Sequence, residues 1–241
     1  MGEDEREDGQ KDERPILGAR RGMPLRERFR APDSYGLVLI LILLSLLITA
    51  VAGDHPWGRA IVVAVQGGAL LYAQWTARIA PRLVRFTAAL VVLGILLSAL
   101  TTLSTNLGFL RVTAIVLVTL GVLTILVIGA RLIRHPEVSG ATLLGAVCIY
   151  LLIGFTYAYT YGLVAAFQSK PFFAQGDLFT SVNSLYFSFV TLATVGYGDL
   201  TARGDVGKML AVSEGLLGQL YLVTVVALAV SNIGRRTRRR G

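Results

Sequence analysis

From position 35 onward the chain is a succession of long apolar runs separated by short polar or basic breaks. A helix needs about 20 mainly apolar residues to cross roughly 30 Å of hydrocarbon. Six segments reach that length. The first, 35–52, carries no charge. The second, 60–77, lies between Arg59 and Arg78, and the third, 86–110, between Arg85 and Arg111. The fourth, 112–130, is closed by Arg111 and Arg131. The fifth covers about 138–167, and the last, about 206–233, contains one acid, Glu214. Turn signals lie between them: Gly53-Asp54-His55-Pro56, Pro81, Asn106 with Gly108, and His135-Pro136. The pattern predicts an all-α membrane protein with six transmembrane helices. Residues 35–134 form a four-helix module and 138–233 a second domain.

Residues 168–205 break the pattern. They are too polar for a clean span and too apolar for an exposed loop. Their middle, about 180–193, reads as a short apolar helix, with Asp177 or Thr180 available to cap its start. That length cannot cross a bilayer, so a re-entrant helix is expected, followed by a loop at 194–198 and the last span.

Composition agrees with the pattern. Of 241 residues 54% are hydrophobic and 16% charged, and the mean hydropathy is +0.64. These values exclude a disordered chain and argue against a water-soluble enzyme. Cys148 is the single cysteine, so neither an intrachain disulfide nor a cysteine metal site is expected. His55 and His135 lie far apart in sequence, which leaves little material for a metal centre. No cofactor is expected.

A net charge of +8 would ordinarily raise nucleic acid as a partner. The positions of the bases give a simpler reading. Eighteen of the 23 fall in residues 1–34, in the breaks at 78–85 and 131–134, and in the tail 234–241; Arg59, Arg111, Lys170, Arg203 and Lys208 fall on the other side. Basic residues stay cytoplasmic, so both termini are expected inside a plasma membrane crossed several times. Nucleic acid is then not needed. Residues 1–34, acidic and then arginine-rich, read as a disordered cytosolic tail. The arginines of both tails are candidates for contact with anionic lipid headgroups. Ala50-Val51-Ala52 before Gly53 has the look of a signal cleavage site. The long, acid-opening region ahead of it favours a retained first helix. No regulatory domain is expected after 233.

Residues 191–199 read Thr-Leu-Ala-Thr-Val-Gly-Tyr-Gly-Asp. The five residues Thr194-Val195-Gly196-Tyr197-Gly198, after a short apolar helix and before a long one, resemble the filter of the potassium-channel superfamily. A bare cation in a membrane needs oxygen ligands in place of water, and neutral carbonyls can supply them without trapping a large, weakly hydrated ion. Aiming successive carbonyls at one axis needs unusual dihedrals, which suits Gly196 and Gly198. The resemblance implies a K⁺ site formed by Thr194, Val195, Gly196, Tyr197 and Gly198, with the Thr194 hydroxyl as the innermost ligand. It also implies that Val195 and Tyr197 point away from the axis. One such loop cannot encircle an ion, so the pore is expected to be a homotetramer.

The same resemblance assigns supporting roles. Tyr186 and Phe187 stand where the family often has tryptophans around the filter, and a hydrogen bond from Tyr186 to Asp199 is expected. Val190 stands where some members carry a glutamate, so a buried carboxyl pair with Asp199 is absent. Gly215 and Gly218 are gating-hinge candidates, with close packing as the alternative for Gly218. Gln219, Leu222 and Val226, at helical spacing, are candidates to line the cavity. Glu214, an acid at membrane depth, is a candidate functional residue, with a structural bond behind the filter as the equal alternative, and sequence names no partner for it.

Voltage-gated relatives carry arginines along the fourth span, each worth about 2.3 kcal/mol per 100 mV. Here 112–130 is uncharged. The expected function is a K⁺-selective channel subunit with weak or no intrinsic voltage gating, and not an enzyme. The alternative is a regulatory or non-conducting subunit that assembles with other pore subunits.

Overall fold

The computed structural model describes residues 34–76, 80–100, 107–134 and 140–238. Seven helices occupy them: α1 (Ser34–Ala52), α2 (Pro56–Thr76), α3 (Pro81–Leu100), α4 (Leu107–Arg134), α5 (Gly140–Phe167), α6 (Ser181–Leu192) and α7 (Asp205–Arg238). Among the described residues no strand forms; one isolated antiparallel bridge joins Phe173 to Ala202.

The helix ends follow from local chemistry. Gly53 closes α1 in the left-handed region, at φ 55°, and its amide bonds the Thr49 carbonyl at 2.9 Å. A glycine at this position turns the chain without a Cβ penalty. Pro56 and Pro81 each open the next helix, where a missing amide proton costs nothing.

Four helices are long and apolar enough to cross a membrane among the described residues: 35–52, 81–100, 108–130 and 142–167. Their outward faces carry large apolar side chains such as Ile40, Leu47, Val92, Leu96 and Leu126, all exposed. That surface suits a hydrocarbon solvent. Helix α2, at 21 residues, carries Arg59, Gln66 and Gln74. Both glutamines point inward. The Gln66 side-chain amide donates to the Tyr159 hydroxyl at 2.8 Å, and the Thr87 hydroxyl donates to Gln74 at 2.8 Å. Pairing removes part of the cost of burying them, although the Gln74 amide nitrogen is buried without a partner among the described residues.

Helix α5 is the keel of the fold. Helices α4, α1, α6 and α7 all pack against it. Val38, Ile42, Leu70, Leu120, Ile128, Cys148, Leu152 and Phe155 form its buried apolar surroundings. Small residues let the helices approach: Gly94 sits between Val63 and Val116, and Gly121 against Thr156.

Three sequence expectations change. The third run does not continue to 110, because α3 ends at Leu100 and residues 107–110 belong to α4. Arg111 is not a stop. It stays within α4 because its guanidinium bonds the Ala166 carbonyl at 3.0 Å and lies 4.7 Å from the Phe167 ring centre. It thereby satisfies a bare carbonyl at the end of α5 and favours the negative end of that helix. The last helix does not end at 233 but runs on to Arg238. Arginine is a good helix former, and a basic last turn complements the helix dipole. Residues 1–33 of the expected cytosolic tail 1–34, the turn at Asn106 and the break at His135-Pro136 lie outside the described residues, and Ser34 opens α1.

Candidate ion-conduction site

The short helix starts at Ser181, one residue past its expected start. Thr180 is the cap, in extended backbone, and its hydroxyl accepts from the Asn183 amide at 3.0 Å. A second cap comes from a distant turn. Asp54, between α1 and α2, accepts from the Ser181 amide at 2.9 Å and the Ser181 hydroxyl at 2.6 Å. A carboxylate belongs at the positive end of a helix. The four-helix module is thus tied to the start of α6.

At the other end of α6 the chain is drawn into a narrow loop. The amide of Thr194 bonds the Thr191 carbonyl and that of Val195 bonds the Val190 carbonyl, each at 2.9 Å. Then the backbone alternates. Thr194 has φ 55°, Gly196 59° and Gly198 81°, while Val195 and Tyr197 are not in the positive region. In a strand, successive carbonyls point to opposite sides. Reversing the hand at every second residue instead turns successive carbonyls towards the same side. The two glycines enter the left-handed region freely. Thr194 does not: for a β-branched residue this conformation costs of order 1–3 kcal/mol and persists only when the surroundings enforce it.

The supporting residues sit on two faces of α6. The Tyr186 hydroxyl donates to Asp199 Oδ2 at 2.6 Å, so the expected bond is present. The Tyr186 ring lies parallel to that of Tyr197, with centres 6.4 Å apart. Asp199 also accepts from the Leu200 amide at 3.0 Å. The Tyr186 bond, with backbone amides, holds the Asp199 carboxyl below its usual range. The sign follows: Asp199 keeps its charge and the bond through neutral and mildly acid pH, and loses them as pH falls through the lowered value. Tyr186→Phe should therefore raise the pH at which acid disturbs the outer mouth, measured as the onset of acid-induced current loss. An unchanged onset would leave the bond without a role in the mouth.

Phe187 faces the other way. It is buried among Tyr161, Phe172 and Phe173, with ring centres 5.0, 6.2 and 5.7 Å away. These rings anchor the loop after α5. That loop is clipped to the segment after Asp199 by the bridge at Phe173 and Ala202: Ala174 bonds the Thr201 carbonyl and Arg203 the Phe172 carbonyl, each at 2.8 Å. Val190 is half-buried, and its part is the carbonyl that holds Val195.

Helix α7 crosses the base of the loop. Gly215 lies within ordinary contact range of the Thr191 carbonyl, and Gly218 lies against the Leu192 carbonyl so closely that a Cβ would collide with it. Gln219 and Leu222 are exposed on the isolated chain, whereas the Val226 side chain is outside the described residues. Glu214, fully buried, contacts the Ser188 hydroxyl, and the Tyr161 hydroxyl donates to its Oε2 at 2.5 Å. The Ser188 hydroxyl also lies 2.7 Å from the Gly154 carbonyl. Beside it, Tyr157 and Ser213 share a hydrogen bond of 3.0 Å. Sequence reasoning could not pair Glu214, because its partners lie 26 and 53 residues away on other helices.

Residues 145–235, from within α5 almost to the end of α7, match the family described as "Ion channel". Protein LctB of Geobacillus stearothermophilus is 34% identical over 98 residues, which cover 40% of this chain and 68% of that protein. Potassium channel KAT4 of Oryza sativa subsp. japonica is 33% identical over 103 residues, covering 43% of this chain and 17% of that channel. Two pore potassium channel a of the same plant is 38% identical over 86 residues, covering 35% of this chain and 21% of that channel. The chain thus spans about two thirds of this LctB protein and about a fifth of each rice channel.

Proposed function

This chain belongs to the potassium-channel superfamily, and we propose that four copies of it enclose a K⁺-selective pore. Its class is that of a membrane channel rather than an enzyme. In this reading α1 to α5 and α7 are the six spans, and α6 is the pore helix. The carbonyls of Thr194, Val195, Gly196 and Tyr197, with the Thr194 hydroxyl, replace the water of a K⁺ ion. The observation that carries it is the alternating backbone hand from Thr194 to Gly198, directly after a short, doubly capped helix.

Two further facts support a tetramer. The chain has one such loop. Around it, Tyr197, Val195, Met209, Val212, Leu216 and Leu220 are at least half exposed on the single chain. An apolar face of this kind, beside a polar backbone loop, fits closure by copies of itself around an axis. The C-terminal end of α6 runs directly into this loop, and its carbonyl dipole would favour a cation beside it in a low dielectric. Both termini are cytoplasmic, with the arginine-rich ends near anionic lipid, and the membrane is the cell's own.

The test is reconstitution of the chain alone in liposomes with opposed K⁺ and Na⁺ gradients. The reversal potential should follow the K⁺ gradient. Tetramers without flux would favour the alternative, a channel-like subunit that needs other pore subunits. In the same recordings, open probability should change little with voltage, since residues 112–130 of α4 hold no charge to move. Steep voltage activation would overturn that part.

A further inference from the structure

Glu214 is buried where three elements of the pore domain meet: α5 through Tyr161 and the Gly154 carbonyl, α6 through Ser188, and its own helix α7. The contacts can be counted in protons. Three oxygen pairs lie within hydrogen-bond reach: Tyr161 with Glu214 Oε2, Glu214 Oε1 with Ser188, and Ser188 with the Gly154 carbonyl. Each pair needs one proton between its oxygens. Tyr161 and Ser188 bring one each, and a carbonyl brings none. A carboxylate would leave one close pair of oxygens with no proton. A carboxylic acid supplies the third: Glu214 donates to Ser188, Ser188 donates to Gly154, and Tyr161 donates to Glu214.

The surroundings agree. The titratable groups around Glu214 are Tyr150, Tyr157 and Tyr161 on α5, and α6 offers Ser188. No described Lys, Arg or His side chain pairs with it. A buried carboxylate without a cation is costly, whereas a neutral acid with all its hydrogen bonds made is not.

We propose that Glu214 is a positioning residue that works as a neutral carboxylic acid, tying α7 to the pore helix and passing movement of α7 to the base of the 194–198 loop. This rests on the channel reading above. Residues flanking Glu214 strengthen the path. Ser213 is held to Tyr157, and Gly218, one turn on, presses against Leu192 two residues before Thr194. The strained Thr194 backbone needs rigid surroundings to persist, and this clamp is one of them. Deprotonation removes the proton that joins α7 to α6 and strands a charge there. Conduction therefore falls on alkalinisation.

The experiment uses the full-length chain in liposomes and two readouts. Difference infrared spectra of the wild type against Glu214→Gln at neutral pH should show the carbonyl band of a protonated acid in the wild type. K⁺ flux is then followed from neutral to alkaline pH. Glu214→Gln, whose amide can donate to Ser188 and accept from Tyr161, should keep wild-type flux and lose the alkaline decline. Glu214→Ala, which removes the acceptor of Tyr161 and the link from α7 to Ser188, should lose flux about tenfold or more at every pH. A carboxylate band at neutral pH overturns the proposal, as does an unaltered alkaline decline in Glu214→Gln. So does an inactive Glu214→Gln beside an active Glu214→Asp, because charge would then be what matters. Absence of flux in the wild type itself would instead sink the channel reading, while the infrared band still decides the protonation state.

Discussion

Replacing Gly198 by alanine should abolish K⁺ flux while leaving the helices intact. Gly198 sits at φ 81°, and a Cβ there meets no atom within 4 Å on the single chain. The damage is therefore conformational rather than a clash. An L-residue in the left-handed region costs roughly 1–2 kcal/mol, so a four-chain pore would carry roughly 4–8 kcal/mol of strain. The loop relieves that strain by leaving the alternating conformation, and the carbonyls then turn away from a common side. Flux should drop by two orders of magnitude or more, about 2.7 kcal/mol expressed as a rate. Circular dichroism should stay helical, because the core around α5 is untouched. Full flux with unchanged K⁺ over Na⁺ preference would remove the ion site from this loop.

Gly218→Ala should destabilise the pore domain, whereas Gly215→Ala should be tolerated. At Gly218 a new methyl would run into the Leu192 carbonyl and come 2.8 Å from its Cδ1. Backbone cannot step aside cheaply, and overpacking of this kind costs about 1–3 kcal/mol. At Gly215 the nearest atom, the Thr191 carbonyl oxygen, is 3.7 Å from the new Cβ. There alanine gains up to about 1 kcal/mol of helix propensity. Thermal unfolding of the assembled protein separates the two. A bend of α7 at Gly218 would press on Leu192, just ahead of Thr194. If Gly218→Ala melted like the wild type but gated differently, backbone freedom rather than packing would be its purpose.

Much of this was legible in the residues. The pore helix shows as a run too short to span, and the loop as glycines at alternate positions. Both are local demands of the backbone, and local demands appear in residue type. Thr194 was not legible in its left-handed conformation, because threonine avoids it. Its amide is held by the Thr191 carbonyl and that of Val195 by the Val190 carbonyl, at the end of a helix that α7 packs against at Leu192. Arg111 was misread for a related reason. As a charge it looks like the end of a span, but it lies within α4, one turn from its start, where the end of α5, 55 residues away, needs a donor. The third run was drawn too long because apolar residues alone do not say which helix they join.

The sequence by itself determined the medium and the all-helical class, and it marked the 194–198 loop. Hydropathy selects a hydrocarbon solvent, and residues 112–130 carry no charge. Neutral carbonyls over a Thr-Val-Gly-Tyr-Gly run suit a weakly hydrated cation. Only the tertiary structure decided which residues hold that loop: Asp54 capping α6 from another module, Phe187 turned inward and Tyr186 outward, and Glu214 joined to Ser188 and Tyr161. The reason is physical. Apolar burial is non-directional and reads as composition, whereas a hydrogen bond needs two named atoms within about 3 Å. For distant residues, that meeting exists only once the chain has folded.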